Sequence, residues 1–145
     1  MLKLSRLTDY AVAALVRLSA AEGVETSPGI AAAIGVPEPT VAKVLKLLAG
    51  QGLVSSTRGA RGGYRLGRPL ASINVAEIIT AIDGPIALTS CVEGATGMCE
   101  SQTLCPVAGR WDPVNAAIRT ALENITLADM AVSSMPRGLR LNEVA

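Results

Sequence analysis

The apolar positions of the first 50 residues repeat at helical spacing. One such run predicts a first helix that ends at Gly23. Ser27 as a cap, with Pro28 at the first helical position, predicts a short second helix that stops at Gly35. A third helix is expected over about 38–49. Two helices joined by a short turn with glycine form the helix-turn-helix pattern. The apolar faces of the first and third helices are Leu4, Leu7, Ala11, Ala14, Leu15 and Leu18, and Val41, Val44, Leu45 and Leu48.

A predicted β-hairpin follows directly, with strands over Leu53–Thr57 and Tyr64–Leu66. The loop between them, "RGARGG", has the glycines that a hairpin tip needs. A hairpin after a helix-turn-helix makes a winged helix. The stretch "INVAEIITAIDG" then predicts a short helix with Asn74 as its cap and with Ile78, Ile79 and Ile82 facing inward.

The predicted short helix is followed by residues 84–110, a segment without apolar periodicity. A strong helical pattern starts at Asp112-Pro113, and its narrow apolar seam is typical of a helix that packs against a partner helix. We therefore expect a winged helix-turn-helix domain over 1–83, a cysteine loop over 84–110, a dimerisation helix over 111–130 and a flexible tail over 131–145. The predicted fold is mainly α with one small β-hairpin. The seam consists of Val114, Ala117, Ile118, Ala121, Leu122 and Ile125.

Charge is distributed unevenly along the chain. The net charge is only +1. Residues 1–70, however, contain nine Lys/Arg and four acids (+5), and residues 71–145 contain four and eight (−4). A basic first half is typical of a polyanion-binding module. We see no signal peptide and no apolar run of about 20 residues for a membrane span, so a cytoplasmic protein with reduced cysteines is expected.

Basic and hydroxyl side chains on the third helix and the hairpin are candidates for DNA contact. On the helix they lie away from the apolar face, where they could meet phosphates or base edges of a major groove. Arginines on a slender hairpin could enter a minor groove. Each feature alone also fits a solvated surface, but together they favour binding of double-stranded DNA. The candidates are Thr40, Lys43, Lys46, Arg58, Arg61 and Arg65.

All three cysteines of the chain, Cys91, Cys99 and Cys105, fall in the loop, and there is no histidine. Their polar surroundings are unlike a core, and the short spacing lets three thiolates converge on one centre. Zinc usually takes four ligands, often with a Cys-x2-Cys pair, which is absent. An iron–sulfur cluster (2Fe-2S or 4Fe-4S) accepts wider spacing and a non-cysteine ligand. Inert thiols or a redox-active thiol pair remain alternatives.

Several stretches together resemble the IscR/NsrR type of winged-helix regulator, which senses iron–sulfur, nitric oxide or redox status. They are "LTDYAVAAL", "PTVAKVLKLLAGQGLV", "RGARGGYRL" and "INVAEIITAIDG", followed by three cysteines before a long helix. The resemblance covers about residues 1–130. "PTVAKVLK" and "CPVAGRW" look most like the branch that regulates the Suf cluster-assembly operon.

The resemblance implies a homodimer on a palindromic operator and a cluster held by Cys91, Cys99 and Cys105. This chain departs from the family pattern in a longer first cysteine gap. It also has Ala108 where some relatives carry a histidine ligand. Asp9 stands where some relatives use an acid from the partner subunit, so it is the first candidate for a fourth ligand. Glu93, Glu100 and Asp112 are the alternative carboxylates, and backbone, water or a small thiol could also serve. The other interpretation of Asp9 is an ordinary acid at a helix N-terminus.

The sequence therefore predicts a dimeric, cluster-binding transcription repressor that controls iron–sulfur assembly genes. The alternatives are a small iron–sulfur electron carrier and a thiol-based redox protein, neither of which needs a basic hairpin. We do not expect an enzyme. Without histidine the chain lacks an ordinary Ser/His or Cys/His nucleophile pair, and it has no phosphate-cradling glycine motif.

Overall fold

The computed structural model describes residues 3–92, 95 and 103–131. Over these residues the chain forms six helices, one two-stranded sheet and a single 3₁₀ turn at Leu70–Ser72. This is the predicted class, mainly α with one hairpin. In chain order the helices and strands are α1 (Arg6–Ala20), α2 (Ser27–Ile34), α3 (Glu38–Gly50), β1 (Val54–Thr57), β2 (Gly63–Leu66), α4 (Val75–Asp83), α5 (Asp112–Glu123) and α6 (Leu127–Ala131).

The core lies where α1, α3 and α4 meet, and it is built from aliphatic side chains. The predicted apolar faces of α1 and α3 are buried from Ala11 and Val41 onward, whereas Leu4 precedes α1 and is 52% exposed. Ile78 and Ile79 of α4 are buried, and Ile82 packs at the edge of the core. The largest fully buried apolar side chains are Leu15, Ile30, Leu45, Leu48, Leu53, Ile73, Ile78 and Leu127.

The helix-turn-helix forms as predicted, with one correction at its start. The cap of α2 is Thr26, whose hydroxyl oxygen accepts a hydrogen bond from the Gly29 N–H at 3.1 Å. Ser27 is instead the first helical residue, and its hydroxyl donates to Glu38 Oε1 at 2.8 Å. That bond ties the start of α2 to the start of α3. Gly35 ends α2 with φ 72°, a left-handed conformation that favours glycine.

The hairpin is antiparallel, with Val54 opposite Leu66 and Thr57 opposite Gly63. A third stretch of backbone holds its second strand. The Glu25 N–H donates to the Tyr64 carbonyl at 2.9 Å, and the Tyr64 N–H donates to the Glu25 carbonyl at 2.7 Å. β2 therefore has backbone hydrogen bonds to β1 on one side and to Glu25 on the other, so the base of the wing is part of the folded domain.

Helix α4 has the predicted Asn74 cap, completed by a reciprocal bond. Asn74 Oδ1 accepts from the Glu77 N–H, and the Glu77 carboxylate accepts from the Asn74 N–H, both at 2.9 Å. Arg68 donates to the same carboxylate at 2.8 Å. Burial raises the pKa of Glu77, but the bonds from Arg68 and the Asn74 N–H outweigh it, so this pKa lies below its ordinary value.

The predicted helix over 111–130 is wrong in its length. α5 ends at Glu123, and the separate short helix α6 follows. Thr126 and Asp129 explain the break, because their side chains cap each other's backbone N–H groups at 3.2 and 2.9 Å and start a new helix. Leu127 is fully buried, and its N–H donates to the Ile73 carbonyl at 2.9 Å. The chain after α5 therefore returns to the winged-helix core.

The apolar seam predicted for α5 is only partly covered within one chain. Ile118 and Leu122 are half-buried, while Val114 is 43% exposed. Ile125 lies beyond the end of the helix and is 44% exposed. Among the described residues, no helix combines the length and apolar character needed to cross a membrane. Of the predicted tail over 131–145, residues 132–145 lie outside the described residues.

Candidate nucleic-acid interface and cysteine centre

Helix α3 separates an apolar face from a basic face. Val41, Val44 and Leu45 are buried against the core. Lys43 and Lys46 alternate with them in sequence and are exposed. Thr40, also predicted to contact DNA, is half-buried. The structure therefore presents the two lysines to solvent on the second helix of a helix-turn-helix, the element that enters the major groove in this motif.

All three predicted arginines of the wing are exposed. Arg65 lies on β2 opposite Ser55, while Arg58 and Arg61 lie in the connection between the strands. The turn is tight. The Gly62 N–H donates to the Gly59 carbonyl at 2.9 Å, and a Cβ atom at Gly62 would collide with the Thr57 carbonyl oxygen. Glycine at position 62 therefore allows the tight turn in the loop that carries the arginines.

Two other basic residues of the first half are neutralised by carboxylates. Arg17 forms a two-pronged pair with Glu25 at 2.8 and 3.2 Å, and Arg68 pairs with Glu77. Simple charge counting missed both pairs, since neither partner lies at helical i,i+4 spacing. No described residue forms a salt bridge with the five predicted DNA-contacting cations. Of the nine basic residues of the first half, five thus lie without a salt bridge on α3 and the wing, while Lys3 and Arg6 are the other two outside the ion pairs among described residues.

The cysteine loop is described at both ends. Cys91 and Cys105 are free and half-buried, whereas Cys99, Glu93 and Glu100 lie outside the described residues. The Thr89 hydroxyl, 3.1 Å from Cys91 Sγ, and then a hydrogen bond from the Gly109 N–H hold the pKa of the Cys91 thiol below its ordinary value. The carboxylate of Asp112 acts in the opposite direction. Cys91 therefore lies against the start of α5, next to one of the predicted carboxylate ligands.

Asp9 is not among the groups that act on the Cys91 thiol within one chain. Asp9 is exposed in the first turn of α1, where its N–H donates to the Ser5 carbonyl at 3.4 Å. Across the described ranges, 3–92, 95 and 103–131, no three Cys, Asp or Glu side chains converge as a metal site. A ligand from a partner subunit cannot be seen in one chain, so the role of Asp9 stays a prediction.

One buried polar residue of α5, Asn115, escaped the sequence analysis. It is 3% exposed. Its Oδ1 accepts from the Leu88 N–H at 2.9 Å, and its Nδ2 donates to the Ile86 carbonyl at 3.0 Å. Both partners belong to the segment that leads from α4 to Cys91. Asn115 is not a member of the predicted apolar seam, and the signal that the sequence offers for it is an amide between the apolar neighbours Val114 and Ala116.

The start of that segment is fixed by α1. Asp83, the last residue of α4, accepts hydrogen bonds from the hydroxyls of Thr8 at 2.8 Å and Ser5 at 3.0 Å. Thr8 is almost completely buried. The chain from α4 to Cys91 is therefore held by α1 at one end and by α5 in its middle.

Comparison with known proteins agrees with this architecture. Residues 4–133 match the model of the Rrf2 family, described as iron-dependent transcriptional regulators. A helix-turn-helix transcriptional regulator of Mycobacterium tuberculosis is 36% identical over 137 residues, which span 93% of this chain and 84% of that protein.

Two solved structures are similar over most of their length. IscR of T. potens is 30% identical with a TM-score of 0.65, and 97% of this chain and 96% of that one are covered. CymR, the global cysteine regulator of B. subtilis, is 28% identical with a TM-score of 0.67, and 90% and 97% are covered. The resemblance expected from the sequence is thus confirmed, and the chain belongs to the Rrf2 family of transcriptional regulators.

Proposed function

We propose that this regulator is a dimeric, DNA-binding repressor that senses iron–sulfur, redox or nitric oxide status through a bound iron–sulfur cluster. The observation that carries the DNA-binding part is the set of five exposed cations, none of them paired with a described carboxylate, on α3 and the wing. Their positions match the two elements with which a winged helix contacts the grooves of DNA. The proposed DNA-contacting residues are Thr40, Lys43, Lys46, Arg58, Arg61 and Arg65.

The donor chemistry of the loop fits a cluster. Thiolates are the usual ligands of iron–sulfur clusters. Cys91 lies among hydrogen-bond donors that favour its thiolate, and Cys105 is half-buried and free in the turn that leads to α5. When bound, the cluster would supply a centre that oxygen, nitric oxide or iron limitation can modify or remove. We propose Cys91, Cys99 and Cys105 as its ligands, and cluster-assembly genes as its targets.

Among the described residues, Asp9 and Asp112 are the two candidates for the fourth ligand. Asp9 of the partner subunit would link the cluster to the DNA-binding domain, since Asp9 lies in the first turn of α1. Asp112 is the alternative that the described residues favour, because its charge acts on Cys91 within one chain. A carboxylate binds iron less strongly than a thiolate, so either residue would give a cluster that is easily lost, as a sensor needs.

Dimer formation is proposed to use α5. Ile118 and Leu122 form a half-buried stripe that continues into exposed Val114. A second copy packed on this stripe would bury it, and a two-fold dimer would place two α3 helices on the half-sites of a palindromic operator.

A second candidate is a thiol switch without a cluster. The lowered pKa of Cys91 favours it, because the thiolate is the form that reacts with oxidants. The similarity to CymR, a cysteine regulator, points in the same direction. Both candidates share the DNA-binding surface and differ only in what occupies the cysteine loop.

Anaerobic purification followed by visible spectroscopy tests the proposal. Wild-type protein is expected to be coloured, and replacement of any one cysteine by Ser is expected to remove the chromophore. Asp9→Ala and Asp112→Ala are compared side by side for the rate of cluster loss under oxygen or nitric oxide, with exposed Glu22→Ala as the matched control. The true fourth ligand is the variant that keeps colour but loses its cluster faster. Colourless wild-type protein after anaerobic reconstitution would refute the cluster and leave the thiol switch.

A further inference from the structure

The segment that carries Cys91 runs over residues 84–92 and has no secondary structure of its own except turns and bends. It is nevertheless well anchored. Asp83 just before it accepts from the hydroxyls of Ser5 and Thr8, and Val92 at its end is 5% exposed. Between these two points, side chains of helix α5 form hydrogen bonds with the backbone of the segment. We call residues 84–92 the Cys91 segment.

Asn115 satisfies the backbone of the Cys91 segment in both directions. Its carbonyl oxygen accepts from Leu88, and its amide nitrogen donates to Ile86. The two backbone groups belong to residues two apart in the chain, and the acceptor and the donor of one amide side chain satisfy both. Arg119, one turn further along α5, adds a longer contact to the same Ile86 carbonyl at 3.4 Å.

Because Asn115 is buried, the arrangement favours one alignment of the Cys91 segment on α5 over others. Asn115 is 3% exposed, and burial of an amide is costly unless its donors and acceptors are satisfied. Alanine or leucine at this position would avoid that cost but would leave the Leu88 N–H without its side-chain partner and the Ile86 carbonyl with only the longer contact from Arg119. The side chain therefore specifies one register of the Cys91 segment against α5.

We infer that Asn115 is a positioning residue that fixes Cys91 relative to α5. Cys91 lies three residues beyond Leu88, and its thiol rests near Gly109, just before α5. Because Asn115 connects the two, a change in the position of Cys91 would shift the contacts of α5, which we propose to be the dimer helix. The inference deepens the proposed sensing function and rests on it for this consequence. The positioning itself requires neither a cluster nor DNA.

The test uses the full chain, reduced and free of cluster, as wild type, Asn115→Ala and Asn124→Ala. Asn124 is exposed at the end of the same helix and makes a matched control. Hydrogen exchange of the peptide over residues 84–92 is measured first. Loss of a buried hydrogen-bond partner is expected to speed exchange of the Leu88 amide about tenfold in Asn115→Ala.

The second readout separates positioning from general destabilisation. Alkylation by iodoacetamide is followed at Cys91 and Cys105 by mass spectrometry, above the ordinary thiol pKa of about 8.5, so that rates report access. The Cys91/Cys105 rate ratio is expected to rise about fivefold in Asn115→Ala and to stay at the wild-type value in Asn124→Ala. Global unfolding would raise both rates together and leave the ratio near one.

An unchanged ratio in a folded Asn115→Ala protein would overturn the inference, even if exchange at Leu88 increased. Should Asn115→Ala not fold, Asn115→Asp takes its place, since it keeps the volume and the acceptor for Leu88 but loses the donor to Ile86. A ratio above that of Asn124→Ala then supports the inference, and an equal ratio overturns it. Since no DNA or metal is present, these outcomes are independent of operator binding and of cluster assembly.

Discussion

Arg61→Ala provides a quantitative test of the DNA-binding surface. The chain exposes five candidate cations on α3 and the wing, and Arg61 lies at the glycine-rich turn of the wing. If Arg61 contacts phosphate, a dimer loses two phosphate contacts in the variant. The slope of log K against log salt is about −0.9 per contact, so it should become shallower by about 1.8.

The change in the salt slope also sets the size of the effect on DNA affinity. Between about 50 and 200 mM salt, a slope difference of 1.8 amounts to about a 12-fold change in the ratio of the two affinities. The affinity deficit of Arg61→Ala should thus shrink about 12-fold over this range. The fold should be unaffected, because the side chain is exposed and makes no hydrogen bond or salt bridge with a described residue.

Fluorescence anisotropy with a labelled operator at four or more salt concentrations measures the slope, with both proteins in the same cluster state. Arg110→Ala is the matched control, since it removes an exposed arginine outside α3 and the wing. Equal slopes for wild type and Arg61→Ala would refute a phosphate contact by Arg61. Equal affinities for wild type, Arg61→Ala and Lys43→Ala would refute the placement of the whole interface.

Three further variants test the fold. Gly62→Ala places a Cβ against the Thr57 carbonyl and should destabilise the wing by about 1–3 kcal/mol in chemical denaturation, whereas Gly23→Ala, in open space, should not. Aspartates in place of Ile118 and Leu122 should give monomers or insoluble protein; a folded dimer by light scattering would contradict the role of α5. Glu77→Gln should reduce acid sensitivity. The lowered pKa of Glu77 adds stability above the ordinary value of about 4.3, which wild type loses as pH falls through the lowered value, so unfolding curves should converge in acid.

Local signals were sufficient for the winged-helix domain. The caps and stops lie within a few residues of the helices that they bound, as with Asn74 for α4 and Gly35 for α2. The cap of α2 was misplaced by one residue, because Thr26 and Ser27 are adjacent and both are good caps. The shortened α5 has the same kind of cause. Its apolar period continues to Ile125, but the reciprocal cap formed by Thr126 and Asp129 ends it earlier.

What local patterns could not supply is pairing across the chain. Arg17 and Arg68 counted as free positive charge until folding placed Glu25 and Glu77 beside them. Asn115 belongs to the same class, because its partners precede it by 27 and 29 residues and are backbone atoms without sequence identity. When a side chain bonds to backbone atoms, the sequence contains no complementary residue type that would reveal the contact. The contacts from Asn115 to the Cys91 segment are of this kind, so the sequence could propose the cysteines as sensing residues but could not show how α5 is connected to the segment that carries Cys91.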